Sequence, residues 1–406
     1  MTAPATRAVP ELSGGTHFPC LDAYRGIGMI MVLLAHASFA TGHVGAVFGP
    51  YVSRLEIAVP MFFILSGFLL FRPYALALLG VRPSVPPRLF LRRRALRIFP
   101  AYVFGLFAIV LLFGKGVLQS AWDWIANILL LQQFGSTVPL RITQAWSIGV
   151  ELTFYLLLPL VVAALFAVVR RTERPFSAML GTVGLLYAVG WAFRLFVVAT
   201  APNPTPPTAW QAHALNWLPM YLDFFAIGMA LGIASAAVQH GTAVPRLLGV
   251  LAGHPALSWC AMAVIVVLVA QMHPPATPFG LNGAEYLPRQ FAYEVAAFIW
   301  LVPAMFGDQR VGRFRAFLAS HPLQYLGALS LSFYIWHLAI LGQVQRRTVP
   351  HYDQLHGIAV FTGNFWLVSG LTFVITLAIA AVCHRFVETP FLRLKDRPLR
   401  EVVRLS

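Results

Sequence analysis

Apolar stretches of about 17 to 25 residues recur along the whole chain, and a helix of that length crosses the hydrocarbon core of a bilayer. The chain has 406 residues, of which 59% are hydrophobic and 11% are charged. A soluble protein carries about 25% charged residues. The sequence therefore excludes a soluble globular protein and predicts an all-α fold, a polytopic bundle of transmembrane helices.

About ten such stretches divide the chain, and we predict one span for each. They lie at about 24–40, 57–74, 98–114, 145–169, 176–200, 214–238, 256–272, 290–306, 324–343 and 358–384. Residues 122–134 form an apolar run too short to cross, so we expect it to be interfacial or re-entrant. The predicted parts are a cytoplasmic tail over 1–22, one membrane domain over 23–392 and a basic cytoplasmic tail over 393–406.

The basic residues fall mostly on one side of this topology. Of the 29 lysines and arginines, 22 lie on predicted inner segments and 7 on predicted outer segments. Because positive residues concentrate on the cytoplasmic side of membrane proteins, both termini are predicted to be cytoplasmic. This asymmetry explains the net charge of +15, and no nucleic-acid-binding motif accompanies it, so we predict no nucleic-acid partner. We expect a multi-pass protein of the cell inner (plasma) membrane.

The first span carries an arginine and a histidine eleven residues apart, Arg25 and His36. Eleven residues make almost three helical turns, so both side chains share one face, roughly 16 Å apart along the axis. A basic group at the membrane surface is then in line with an imidazole near the middle of the bilayer. Polar groups in a membrane are costly and often functional, so both are candidate catalytic residues. The alternative is an arginine that sets topology and a histidine hydrogen-bonded to a neighbouring helix.

Three arginines precede the third span: Arg93, Arg94 and Arg97. If this segment is helical, Arg97 shares a face with the other two. Guanidinium groups there can hold a phosphorylated ligand through bidentate hydrogen bonds. The alternative is inner-surface charge that contacts anionic lipid.

Other spans also carry polar side chains. Glu151 and Tyr155 are four residues apart and adjacent on one helix face; the carboxylate could orient a histidine, bind an acceptor hydroxyl or relay protons. Asp223 is similar but has no partner apparent from the sequence. Tyr334 and His337 lie near the middle of the ninth span, and we expect His337 to be a hydrogen-bonded supporting residue. No His-x-x-x-His or Glu-x-x-His pair occurs where a metal would need one, so we predict no metal.

Six short motifs occur in order along the chain. They are Arg25-x10-His36, Ser66-Gly67-Phe68-Leu69, Arg94-x-x-Arg97-Ile98-x-Pro100, Trp146-Ser147-x-x-x-Glu151, Tyr334-Ile335-Trp336-His337 and Glu388-x-Pro390-Phe391. Each is weak alone, but the set resembles the acyltransferase-3 family of integral membrane O-acyltransferases. The resemblance covers about residues 20–392 and includes the family's ten spans. Some members append an SGNH hydrolase-like domain, for which this chain has neither room nor a Gly-Asp-Ser motif.

The resemblance implies transfer of an acyl group, commonly acetyl, from cytoplasmic acyl-CoA to a hydroxyl of a cell-envelope glycan, a glycolipid or a macrolide. Acyl-CoA would be a donor substrate, and no permanently bound cofactor is implied. The residues expected to bind the donor are Arg93, Arg94, Arg97 and Ser66.

The resemblance also implies catalytic roles. His36 would be the general base for the acceptor hydroxyl or would carry the acyl group itself, since an imidazole has an unperturbed pKa of about 6.5. Arg25 and Glu151 would assist it. The residues expected to bind the acceptor or to support the site are Tyr155, Tyr334 and His337.

A transporter or flippase for a lipid-linked sugar is the alternative class, because it too would carry intramembrane charged residues. Exchange of label with acetyl-CoA would distinguish the two, since a flippase has no use for it. For the enzyme, an envelope saccharide or glycolipid is the expected acceptor. A macrolide or another small secreted metabolite is the alternative acceptor.

Overall fold

The computed structural model describes residues 18–114, 120–135, 142–200, 208–272, 283–307, 311–349 and 363–395, which form helices and contain no strand. The helices of eight or more residues are α1 (Pro19–Ala40), α2 (Ala58–Leu78), α3 (Pro87–Phe113), α4 (Ala121–Ile128), α5 (Trp146–Thr172), α6 (Pro175–Ala199), α7 (Leu222–Gln239), α8 (Arg246–Gly253), α9 (Pro255–Met272), α10 (Gly283–Met305), α11 (His321–Thr348) and α12 (Phe365–Cys383). The α12 helix continues through a π-helical turn, His384–Glu388, into Thr389–Leu394.

This architecture confirms the predicted all-α polytopic bundle. In the described part of the chain, eight helical stretches are long and apolar enough to cross a membrane, and α8 with α9, bent by 96°, makes a ninth if the pair is one span. The remaining predicted span corresponds to α10, which carries Glu285, Arg289 and Glu294 in its first half and is less apolar. The start of the predicted tenth span, 358–362, and most of both predicted tails lie outside the described residues.

The first helix begins at Pro19, inside the predicted N-terminal tail. Proline suits a first helical turn because its missing N–H would be unpaired there anyway, and Asp22 in the same turn complements the helix dipole. The helix has 22 residues, which corresponds to about 33 Å. Its middle therefore falls near Ile30, and His36 lies only four residues from its end at Ala40.

The short apolar run after α3 forms α4. A capping box between Ser120 and Asp123 starts this helix, and Trp124 stacks on Phe107 of α3 with ring centroids 4.7 Å apart. Its eight residues extend about 12 Å, so α4 cannot cross a bilayer.

Glycines let the central helices pack with their backbones close together. A Cβ atom at Gly67 of α2 would collide with the carbonyl of Phe225 on α7, and one at Gly327 of α11 would collide with the carbonyl of Asp22 on α1. Small residues at helix interfaces are typical of membrane proteins. The close packing of these two pairs, α2 with α7 and α1 with α11, defines the centre of the bundle.

Candidate active site

A cavity of about 420 Å³ lies between α1, α2, α3, α5 and α11. This volume is in the range of small-molecule sites. Much of its wall is apolar, including Met29, Phe62 and Leu331. The polar residues that line it are Asp22, Arg25, Ser66, Arg94, Arg97, Ser147, Glu151, Tyr155, Ser330, Tyr334 and Lys395.

The cavity carries an excess of positive charge. Four cationic side chains line it, Arg25, Arg94, Arg97 and Lys395, against the carboxylates of Asp22 and Glu151. We call the end of the bundle where these cations lie the basic end. Arg25 Nη1 is 2.9 Å from Asp22 Oδ1 one turn earlier on α1. Because α3 is helical through this segment, Arg94 and Arg97 share the face toward the cavity.

Glu151 connects α5 to α2 inside this cavity. Ser66 Oγ donates to Glu151 Oε1 at 2.5 Å, and Tyr155 OH donates to Oε2 at 3.0 Å. Both carboxylate oxygens therefore accept a hydrogen bond from a hydroxyl, as a partly buried carboxylate requires. The sequence left three roles open for Glu151. In the structure, its carboxylate lies among hydroxyl groups and arginine side chains.

Tyr334 joins α11 to the start of α5. Its hydroxyl is 2.7 Å from Ser147 Oγ and donates to the carbonyl of Gln144 at 2.9 Å. In return, Gln144 Nε2 donates to the carbonyls of Tyr334 at 3.0 Å and Ile335 at 2.9 Å. Sequence reasoning missed Gln144, because a glutamine in a connection before a span has no distinguishing pattern. Ser147 stood in the Trp-Ser motif and could have been found from it.

His36 and His337 form a stacked pair. Their ring centroids are 5.3 Å apart with an angle of 28° between the planes. His337 is buried, and its Nδ1 is 2.7 Å from the carbonyl of Tyr334. Since a carbonyl only accepts, Nδ1 carries the hydrogen and Nε2 holds a lone pair. Among the described residues, His337 Nε2 has no hydrogen-bond partner.

The histidine pair lies outside the cavity, since neither His36 nor His337 lines it. The last cavity-lining residues are Met29 on α1 and Tyr334 on α11. His337 is three residues further along α11 and His36 seven residues further along α1, which correspond to about 4.5 Å and 10 Å of helix rise. The predicted shared face of Arg25 and His36 fits this arrangement. His36 lies past the middle of the helix, and the earlier start of α1 moves that middle further from it.

The structure thus brings seven predicted site residues to one cavity: Arg25, Ser66, Arg94, Arg97, Glu151, Tyr155 and Tyr334. It does not place Arg93 on the cavity wall. His36 and His337 lie together at a second location, next to the cavity. No group of three metal-ligating side chains occurs in the described part of the chain.

Two further polar clusters hold the bundle together. Asp223, which had no apparent partner in the sequence, accepts from Arg194 Nη1 at 2.5 Å, and Glu294 Oε1 lies 3.4 Å from the same nitrogen. All three side chains are buried. Glu388, in the π-helical turn, accepts a hydrogen bond from Ser332 Oγ on α11. Neither cluster lines the cavity.

A multi-pass helical bundle with a basic cavity beside a stacked histidine pair defines an integral membrane protein with a polar site inside its membrane domain. The family follows from comparison: a family model described as an acyltransferase domain (Acyl_transf_3) matches residues 18–385. The chain therefore belongs to this acyltransferase family and is a membrane O-acyltransferase.

The chain is similar to two curated relatives along most of its length. It is 27% identical to acyltransferase MdmB of Streptomyces mycarofaciens, over 93% of this chain and 92% of the relative. It is 23% identical to peptidoglycan O-acetyltransferase OatA of Listeria monocytogenes, over 92% of this chain but 56% of the relative. The chain thus spans about half the length of OatA. No solved structure matches the chain significantly.

Proposed function

We propose that the cavity binds acyl-CoA as the donor, with the CoA phosphates at the basic end. The observation that carries this proposal is the convergence of Arg25, Arg94, Arg97 and Lys395 on one cavity. Guanidinium groups bind phosphate oxygens through short, charge-assisted, often bidentate hydrogen bonds. The two positive charges left after Asp22 and Glu151 are counted would complement the anionic donor.

The thioester then lies toward the apolar wall of the cavity. That wall includes Met29, Phe62 and Leu331, and these apolar side chains suit an acyl chain and the arm that carries it. Glu151 and Ser66 would hold the arginine-lined part of the cavity in shape. The acyl carbon must reach past Met29 and Tyr334 to the histidine pair, because a general base acts within hydrogen-bond distance of the hydroxyl, directly or through one water.

We assign the transfer step to His36 as general base. The acceptor hydroxyl gives its proton to His36 while its oxygen bonds to the acyl carbon. The carbon–sulfur bond breaks, and the CoA thiolate leaves and takes up a proton. The products are an acyl ester and CoA, and no net proton is gained or lost. If His36 instead carries the acyl group, labelled acyl-CoA without acceptor will leave label on the protein.

We further propose that the basic end faces the cytoplasm at the plasma membrane and that the acceptor is a hydroxyl of an envelope saccharide or glycolipid. The asymmetry of basic residues supports the orientation. The likeness to OatA, which is named a peptidoglycan O-acetyltransferase, supports an acceptor in the cell envelope. Acetyl is the acyl group that we expect.

The decisive experiment uses purified protein with radiolabelled acetyl-CoA. An acyltransferase will bind the donor and release CoA, slowly to water and faster with acceptor, whereas a flippase for lipid-linked sugars will leave acetyl-CoA intact. Comparative mass spectrometry of envelope glycolipids and polysaccharides from deletion and complemented strains then identifies the acceptor. A missing acyl group on a secreted small molecule instead would overturn the envelope assignment.

A further inference from the structure

A stripe of hydroxyl groups runs along the inner face of α12. Ser369, Thr372 and Thr376 are spaced by three and four residues and so share one face. All three side chains are buried, at 5%, 0% and 0% exposure. Among the described residues, none of their hydroxyl oxygens has a hydrogen-bond partner. The opposite face of α12 carries large exposed apolar side chains such as Leu367 and Val374.

The lack of hydrogen-bond partners for these hydroxyls is unusual in the described part of the chain. A helical threonine commonly donates to the carbonyl four residues earlier. The threonines that do so here are Thr41, Thr153, Thr172, Thr200 and Thr348. Hydroxyls at membrane helix interfaces otherwise bond across to a neighbouring helix. Thr372 and Thr376 do neither.

The stripe lies beside the histidine pair. Phe373, between the two threonines, contacts Phe333 of α11 with centroids 5.9 Å apart, and the Phe333 ring is nearly parallel to that of His337 at 6.3 Å.

Together these groups form what we call the hydroxyl seam between α11 and α12. Its members are His337, Ser369, Thr372 and Thr376. Each contributes one buried polar atom that no protein group in the described chain satisfies. Buried polar groups are nearly always hydrogen-bonded, and ordered water is the usual partner where side chains and backbone are not.

We propose that the hydroxyl seam binds a chain of water molecules that carries protons to and from the His36–His337 pair. The inference rests on the proposed function, because that function gives the pair a proton to move. His36 receives the proton of the acceptor hydroxyl. The thiolate that needs a proton is released at a different place, in the cavity on the other side of Met29. The base must lose its proton before the next turnover, and a charged imidazole left in a buried site is costly. Hydroxyls donate and accept equally, so water between them conducts protons in either direction.

The first test detects the water directly and does not require activity. Hydroxyl-radical footprinting by X-ray pulses modifies side chains next to bound water even where bulk solvent cannot reach. Phe333, next to the hydroxyl seam, and Phe224 on α7 are both fully buried. Phe224 is therefore the matched control. We expect modification of Phe333 but not of Phe224, and its loss in the double variant Thr372→Val/Thr376→Val. An unmodified Phe333 in the natural protein overturns the proposal.

The second test measures turnover in the same double variant, in which valine keeps the shape of threonine without its hydroxyl. We expect kcat to fall about tenfold or more, within the range that proton transfer contributes, while the KM for acyl-CoA stays unchanged. Thr153→Val, which removes a hydroxyl that bonds to its own helix, is the control and should keep full turnover. Normal kcat with a raised melting temperature in the double variant would show that the seam is dry.

These outcomes separate the two proposals. If the double variant is normal but His36→Gln is inactive, the seam inference fails and the proposed function stands. If the natural protein transfers no acyl group, the proposed function fails, and the labelling of Phe333 still decides whether the seam holds water.

Discussion

Ser66 on α2 donates a 2.5 Å hydrogen bond to Glu151 on α5, across 85 residues of chain. This contact fixes the carboxylate on the wall that also carries Arg94 and Arg97. Glu151 is therefore placed to hold this arginine-lined part of the cavity together, at a distance from the histidine pair.

The first prediction concerns that carboxylate. Glu151→Gln keeps the shape of the side chain but removes its charge, and it weakens the bonds from Ser66 and Tyr155. A hydrogen bond to a charged group contributes about 1.5–3 kcal/mol, so we expect acyl-CoA affinity or kcat/KM to fall roughly ten- to a hundredfold. Binding by isothermal titration and steady-state transfer measure this effect. Unchanged values for both would remove Glu151 from the site.

The second prediction tests the donor cations. Arg94→Ala or Arg97→Ala should raise the KM for acyl-CoA roughly ten- to a hundredfold, since each loses a charge-assisted hydrogen bond. The protein should remain in the membrane. Arg171→Ala, which removes an exposed arginine at the end of α5, is the charge-matched control. If the Arg94→Ala/Arg97→Ala double variant binds acyl-CoA normally, these arginines determine only the orientation of the protein in the membrane.

The third prediction concerns His36. His36→Gln retains hydrogen-bonding capacity but can neither take the proton nor carry the acyl group. We expect turnover to fall by about 10²–10⁴, with expression and acyl-CoA binding unchanged. Near-normal turnover would mean that His36 is structural.

His337 provides the comparison for this experiment. It is buried and stacked on His36, so His337→Ala leaves a space in the core and should lower the melting temperature, with partial activity retained. A variant that is fully stable but as inactive as His36→Gln would move the catalytic base to His337.

The fourth prediction concerns the buried Arg194 cluster. Arg194→Ala leaves the carboxylates of Asp223 and Glu294 buried without their cation, which should destabilise the protein by about 3–5 kcal/mol. Neutralising all three, with Arg194→Met, Asp223→Asn and Glu294→Gln, should recover most of the lost stability. Thermal unfolding in detergent measures both variants. An Arg194→Ala protein of normal stability would contradict a structural role for the cluster.

The fifth prediction concerns orientation. In a cysteine-free background, single cysteines next to Arg88, Arg171 or Arg313 should resist an impermeant thiol reagent applied to intact cells. Cysteines near Pro206 and Gly280 should react. Reaction beside Arg88 from outside would reverse the proposed orientation and place the basic end of the cavity away from cytoplasmic acyl-CoA.

The sequence by itself determined the class of fold and the family. Span length and the shortage of charge predict helices, because a bilayer requires every backbone group to be bonded within its segment. The shared face of Arg94 and Arg97 also follows from the sequence, since neighbours on one helix are set by a local repeat of 3.6 residues. The ordered motifs gave the family, which the match over residues 18–385 confirms.

Only the tertiary structure decided which helices meet and at what level. It placed Glu151 on Ser66, stacked His36 on His337, and gave Asp223 the partner Arg194. The extension of α1 to Pro19 moved the middle of the helix to near Ile30, further from His36. The physical reason is that helix periodicity specifies a face but not its neighbour. Close approaches such as that of Gly67 to the Phe225 carbonyl fix the neighbour and the register, and they join residues far apart in the chain.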